Sequence, residues 1–309
     1  MCKLWDRKVH LVAPGRFLCY NWRRKAEIFM RYDCHMHMLL DGAYWKSAID
    51  RHRESPDRAW IRQQLEKYRA AGFSYLRDGG DRWGASSAAR EMAEEFGICY
   101  KTPLSPLSRR GHYGGFIGEQ YGDIKEYILL VNKMRRQGAD FIKIMISGLM
   151  DFDHCGVLSE PGLPREEIRE LIHIAHEEGF SVMAHANGAD TVIAAAEAGV
   201  DSVEHGAYLN AQALAAMQEA GTVWVPTIST VGNLLGTGRF DEREVEKILA
   251  GLLENVAEFY RMGGLLAPGT DAGAFSVGHG TMSEYGWLEK ALGGQELPME
   301  GIVRIIEKF

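Results

Sequence analysis

Two histidines stand one residue apart in Asp33-Cys34-His35-Met36-His37, at the end of a short apolar run. In an extended chain successive side chains point to opposite faces, so Asp33, His35 and His37 share one face and two imidazoles leave the strand together. Neutral imidazole suits zinc-like ions, and two on one strand can reach one ion; a pair packed into a core is the alternative. Three more runs end in residues of ligand type: Phe180–His185 in His185, Ser202–His205 in His205, and Leu265–Asp271 in Asp271. Four histidines and one aspartate, scattered along the chain, thus close apolar runs, and if they meet they could hold a metal for hydrolytic chemistry.

Lys143 adds a different signal. In Phe141-Ile142-Lys143-Ile144-Met145-Ile146-Ser147, alternation turns the three isoleucines to one side and Phe141, Lys143 and Met145 to the other. A buried ammonium is costly and tends to lose its proton. Two readings remain open. Lys143 pairs with an interior acid such as Glu204, or its neutral amine reacts with CO2 to give a carbamate, an anionic two-oxygen ligand able to bridge two metals.

The elements that must position these groups follow from periodicity. The runs predicted as strands are Tyr32–Cys34, Phe73–Arg77, Ile98–Thr102, Phe141–Ser147, Ser181–His185, Ser202–Glu204, Val223–Pro226 and Leu265–Gly269. Helical stretches alternate with them: Asp57–Ala71, Ser86–Phe96, Asp123–Gln137, Arg165–Glu178, Ala189–Ala198, Ala211–Ala220, Glu242–Arg261 and Met282–Leu292. Eight strand–helix units in a chain of this size predict an α/β fold, a (β/α)8 TIM barrel, over residues 30–309. In such a barrel the C-terminal ends of the strands form the active face, where all the candidate residues fall. A doubly wound open sheet would be expected to carry a Gly-rich phosphate loop after an early strand, and none is present. Residues 1–29 show no clear period and are read as an N-terminal extension outside the barrel. Gly301–Phe309 reads as a helix that has barely begun.

Composition narrows the class. The 309 residues carry 35 Lys+Arg against 42 Asp+Glu, for a net charge of −7, with 46% apolar residues. That is ordinary globular make-up. It argues against a nucleic-acid partner, which would call for a basic face. No apolar run is long enough to span a membrane and no signal-peptide anatomy is present. Five cysteines without CxxC spacing predict no disulfide framework, so the expected location is the cytoplasm.

The set of residues resembles the amidohydrolase superfamily of metal-dependent hydrolases, over about residues 31 to 285. The carriers are the HxH of the first strand, Lys143 on the fourth, His185 and His205 on the fifth and sixth, and Asp271 on the eighth. Local strings add to it: Phe-Ile-Lys-Ile-Met-Ile-Ser-Gly, Ala-His-Ala-Asn-Gly, Val-Asp-Ser-Val-Glu-His-Gly and Pro-Gly-Thr-Asp-Ala-Gly. The branch most similar holds Xaa-Pro dipeptidases and imidazolonepropionase-related enzymes. The resemblance implies a binuclear centre of two divalent metal ions, zinc being the expected metal and manganese and iron also suited. The more buried ion would take His35, His37, Asp271 and a CO2-derived carbamate on Lys143; the more exposed one would take the same carbamate with His185 and His205. A metal-bridging hydroxide would attack the carbonyl of an amide-type C–N bond in a dipeptide, cyclic amide or related small substrate, with Asp271 shuttling the proton.

Other residues follow at lower rank. His112, in Arg109-Arg110-Gly111-His112-Tyr113, resembles a family position near the substrate carbonyl, with Tyr113 beside it; a surface-loop histidine is the alternative. His279 is a further candidate substrate contact. Arg109 and Arg110 could grip a carboxylate or simply face solvent. Asp151–Cys155 resembles a small metal cluster but reads as pocket wall, and Arg77-Asp78 reads as a pair bracing the site.

Departures from the family pattern also count. Little or no sequence remains for the accessory β-sandwich that many relatives carry, so uncovered apolar surface invites homo-oligomerisation. Leu149 stands where many relatives have glycine. Two rival readings remain: a mononuclear deaminase, which the Asn187-Gly188 after His185 in place of a glutamate disfavours, and a non-catalytic barrel, which the full ligand set disfavours.

Overall fold

The computed structural model describes residues 30–309; the N-terminal extension expected at residues 1–29 lies outside the described residues. The strands are β1 Arg31–Met36, β2 Phe73–Asp78, β3 Cys99–Lys101, β4 Leu107–Arg109, β5 Glu119–Tyr121, β6 Ile142–Met145, β7 Val182–Ala186, β8 Ser202–His205, β9 Val223–Val225 and β10 Leu265–Leu266. All the pairings between these strands are parallel. They run in two sheets, β1-β2-β3 and β10-β9-β8-β7-β6-β4-β5. Backbone bonds join the sheets at both seams. Cys34 N donates to Pro268 O at 2.8 Å and Asp271 N to His35 O at 2.7 Å on one side, and Asp140 N donates to Thr102 O at 3.0 Å on the other. The result is the TIM barrel.

The predicted third strand, Ile98–Thr102, is found as β3, which pairs with β2; a further short strand that was not expected, β4, follows it and pairs with β6 and β5. Pro103 and Pro106 lie between β3 and β4 and have no N–H for a ladder, so the chain breaks where it passes from one neighbour to the other.

The helices are α1 Trp45–His52, α2 Arg58–Ala70, α3 Ala85–Ala93, α4 Ile124–Gln137, α5 Arg165–Glu177, α6 Ala189–Glu197, α7 Ala211–Ala220, α8 Ser229–Gly232, α9 Glu242–Arg261, α10 Ser283–Ala291 and α11 Met299–Lys308. Their starts are chemical. Asp57, Asp123 and Asn210 accept a backbone N–H of the first turn of α2, α4 and α7. At the C-termini of α4 and α7, Gly138 and Gly221 take the left-handed conformation that closes the last turn. The long α9 buries Val245, Ile248, Leu249, Leu252, Val256 and Phe259, a three-and-four spacing that lays one stripe on the barrel.

Two layers of core result. Ile142, Ile144 and Ile146 pack outward among the helices, whereas Phe141 packs inward with Tyr32, Cys34, Tyr75 and Met183. The chain's last helix closes the bottom of that inner layer. Far from barely begun, α11 spans ten residues and buries Ile302 and Ile305 against the interior cluster. Phe309 meets Phe141 edge-on at 5.1 Å, and the Arg77 guanidinium lies 4.4 Å over the Phe309 ring. Helix and barrel meet so closely that a Cβ on Gly301 would fall 2.0 Å from Leu266 O.

No helix among the described residues is long and apolar enough to cross a membrane. Among the described residues Cys34 and Cys155 are free thiols.

Candidate metal centre and active-site cavity

A register irregularity in β1 decides what the first strand presents. Tyr32 and Cys34 face the interior cluster, yet His35 and His37 reach the interior cavity as well, because pairing with β2 shifts between Asp33 and Met36. Simple alternation, which grouped Asp33 with the two histidines, fails at that point. The Asp33 carboxylate instead accepts from Thr270 N at 2.9 Å and Thr270 Oγ1 at 2.6 Å, anchoring the turn that carries Asp271.

The remaining expected ligands converge at the C-terminal mouth. His35, His205 and Asp271 offer ligand atoms within 4.8 Å of one another. His37 Nε2 lies 3.3 Å from His35 Nε2 and 3.5 Å from Asp271 Oδ1. The His185 ring stands 4.6 Å from that of His205. Lys143 lines the same cavity, and its buried Nζ has no hydrogen-bond partner among the described residues. Glu204, weighed as its partner, is committed elsewhere. Its Oε1 accepts from Arg77 at 2.8 Å and from Ser202 at 2.5 Å, and its Oε2 stands 2.8 Å from His35 Nδ1.

The outer groups orient the inner ones. With Nδ1 held toward Glu204, His35 keeps Nε2 for the cluster. His205 Nδ1 lies 2.7 Å from Thr227 Oγ1, which likewise leaves Nε2 inward. His185 is the reverse, with Nε2 3.1 Å from Gly148 O and Nδ1 left free. Asn187 donates to the same carbonyl and accepts from Ala207 N. At Gly79 a Cβ would sit 2.2 Å from His37 Cε1, so the strand can pass His37 only as glycine. His205 and Asp271 both have positive φ, 69° and 53°, an uncommon conformation for residues other than glycine.

Burial sets the charge states. It lowers the pKa of His37 and His185 to about 3 and of His35 and His205 well below the ordinary value, with the Lys143 charge adding in the same direction. All four are therefore neutral near pH 7, the form that donates to a metal. Burial also lowers Lys143 and raises Asp271. A divalent cation would reverse the latter by favouring the carboxylate. The donor set, an orphaned interior amine among four neutral imidazoles and a carboxylate, fits a divalent metal site.

The cavity above holds about 550 Å³, a volume suited to a small organic ligand. Its wall is aromatic, with Trp45, Tyr113, Phe116, Phe152, Phe240 and Phe275. The Tyr113 ring lies 4.8 Å from that of His185, tilted at 41°. Other expected contacts lie elsewhere. His112 is outside the lining, with Nδ1 3.5 Å from Glu160. His279 is buried behind the wall, 3.1 Å from Tyr68 Oη and 2.8 Å from Leu40 O. Arg109 pairs with Glu167 and Arg110 with Glu126, so neither is open to a ligand carboxylate. Phe152 is the member of Asp151–Cys155 that reaches the cavity, whereas His154 pairs with the exposed Asp151. Arg77 and Asp78 both brace the rim but through different partners, Asp78 accepting from Tyr100, Gly80 and Met38.

Of the aromatic wall, Tyr113 was an expected substrate contact and Phe152 falls in the stretch read as pocket wall; Thr227, Arg239, Trp45, Phe116, Phe240 and Phe275 were not anticipated. Thr227 left a readable sign, a polar residue directly after the strand run ending at Pro226. The unanticipated aromatics come from separate stretches, Trp45 at the start of α1 and Phe116, Phe240 and Phe275 in loops, and left none.

The model of the amidohydrolase family matches residues 33–282. The chain belongs to the amidohydrolase family. Among curated relatives, ochratoxinase of Aspergillus niger is 26% identical over 233 residues, covering 65% of this chain and 47% of that protein. An uncharacterized protein of Mycobacterium tuberculosis is 31% identical over 123 residues, covering 38% of this chain and 33% of that one. The chain thus spans about half the length, or less, of the curated relatives it matches. Among solved structures, a Xaa-Pro dipeptidase with bound methionine superposes with a TM-score of 0.68 at 22% identity, covering 90% of this chain and 72% of that one. The Aspergillus niger ochratoxinase structure gives 0.70 at 20% identity, covering 90% and 69%. At those identities the likeness establishes the shared amidohydrolase fold.

Proposed function

We propose that this chain is a metal-dependent hydrolase of amide-type C–N bonds in small substrates, working with two divalent ions, zinc foremost, and with Lys143 carbamylated. The observation that carries the reading is Lys143 Nζ, buried without a protein partner beside His35, His37, His185, His205 and Asp271. An amine lowered toward neutrality by burial is the form that adds to CO2. His35, His37 and Asp271 would hold one ion, His185 and His205 the other, and the lysine carbamate both. When bound, the ions supply an activated water and polarise the scissile carbonyl.

The chain's own residues do the rest. The Asp271 carboxylate orients the attacking water, takes its proton and returns it to the departing nitrogen. Glu204 and Thr227 fix the ring orientations of His35 and His205. The aromatic wall excludes bulk water and receives the apolar part of the substrate. The names of similar proteins, a Xaa-Pro dipeptidase, an ochratoxinase and a molinate hydrolase, support C–N or related acyl bonds as the target. Asn187 supplies no carboxylate, and its amide is committed to Gly148 and Ala207, which weighs against deaminase chemistry.

Elemental analysis with a turnover panel tests this reading. About two ions per chain and hydrolysis of dipeptides or N-acyl amino acids are expected. Lys143→Ala should deplete both ions, with partial recovery on adding a short carboxylic acid. Full metal content and rate in Lys143→Ala would defeat the reading.

A further inference from the structure

Apart from tyrosine phenols, the ionisable side chains lining the cavity are the metal-centre set and one more, Arg239. Its guanidinium lies 3.9 Å over the Phe275 ring and 5.3 Å over that of Phe240. Among the described residues its side chain makes no ion pair, unlike Arg109 and Arg110. The acids nearby in the sequence are committed elsewhere: Asp241 caps α9 by accepting from Arg243 N, and Glu242 accepts from Gly236 N in the preceding loop. The two rings hold the guanidinium in place, and among the described residues its N–H donors have no protein acceptor. Phe275 lies four residues beyond Asp271, so the loop that carries the proposed base also seats this cation.

We propose that Arg239 is a specificity-determining residue that binds a carboxylate on the substrate, at the end remote from the scissile bond. The inference rests on the hydrolase reading and names its substrate class: an amide with an apolar or aromatic body and a free carboxylate. The aromatic wall takes the body, the floor takes the reacting carbonyl, and Arg239 takes the anion at the rim. Among the described residues no other rim side chain offers the anion a positive charge.

The test uses two ligands with no C–N bond, 4-phenylbutanoate and 4-phenylbutan-1-ol, titrated calorimetrically into the metal-loaded protein. The native protein should prefer the acid by about tenfold, as a charge-assisted hydrogen bond supplies. Arg239→Met, which keeps the apolar stem on Phe275, should bring the preference near unity, and Arg239→Lys should retain part of it. For N-benzoyl-6-aminohexanoate against its carboxamide, whose anion lies far from the benzoyl amide, Arg239→Met should raise KM for the acid alone and leave kcat unchanged. A native protein without the preference, or Arg239→Met that keeps it because metals hold the carboxylate, would overturn the proposal. A preference that depends on Arg239 in a protein hydrolysing none of the amides would leave the anion site standing and remove the hydrolase reading instead.

Discussion

Glu204 Oε2 stands 2.8 Å from His35 Nδ1 while its other oxygen receives the buried guanidinium of Arg77. One carboxylate therefore does two jobs, compensating an interior cation and setting which nitrogen His35 turns to the cluster. Removing its charge leaves Arg77 unbalanced. We predict that Glu204→Gln loses about 3 kcal/mol of stability, read from denaturant midpoints. Metal affinity should fall about 10- to 100-fold, read by competition with a chelating dye. A variant as stable and as tight as the parent would show that the charge of Glu204 does neither job.

In the proposed mechanism Asp271 would be both metal ligand and base. Its Oδ1 is 3.6 Å from His35 Nε2 and 3.5 Å from His37 Nε2, and Asn keeps the shape without the proton affinity. Asp271→Asn should keep much of the metal and lose about 100- to 10,000-fold in kcat. An unchanged rate would mean that another group moves the proton.

Acid should weaken the fold through His279, which lies behind the cavity wall. Burial lowers its pKa to about 4, and its ring sits between Tyr68 Oη and Leu40 O. The unfolded chain binds that proton near pH 6.5, the folded chain only near 4. This contribution is complete above pH 6.5 and disappears as pH falls to 4, amounting to about 3 kcal/mol. His52, lowered to about 4 by burial as well, acts with the same sign. Unfolding free energies of the parent and of His279→Gln, measured across that window, should converge at its acid end. Parallel curves would rule the linkage out.

The floor of the barrel offers a test independent of chemistry. Gly301→Ala places a methyl 2.0 Å from Leu266 O, so α11 must shift away from β10. A loss of about 1–3 kcal/mol is expected, with metal content unchanged because the floor is opposite the mouth. Unaltered stability would mean that the helix docks loosely.

Much of this was legible in the residues themselves. Apolar runs ending in His185, His205 and Asp271 gave the rim, because a parallel barrel puts every strand's C-terminal end on one side. The three isoleucines around Lys143 gave its inward direction. What stayed hidden was non-local or irregular. Alternation could not foresee the shift between Asp33 and Met36, since a bulge depends on the neighbouring strand. His279 looked like a substrate contact because it follows Asp271 in sequence, but the loop folds it back onto Tyr68. The helix Met299–Lys308 was hard to read as complete because its apolar face is explained by the barrel floor, which the linear chain does not display.

The left-handed backbone at His205 and Asp271 has a cost that the rest of the barrel must offset. Glycine at either place would relax the main chain and remove a donor in the same stroke. Substitutions that make this protein harder to melt are thus to be sought first among those that silence it, and a screen for heat resistance alone would drift toward an inert barrel.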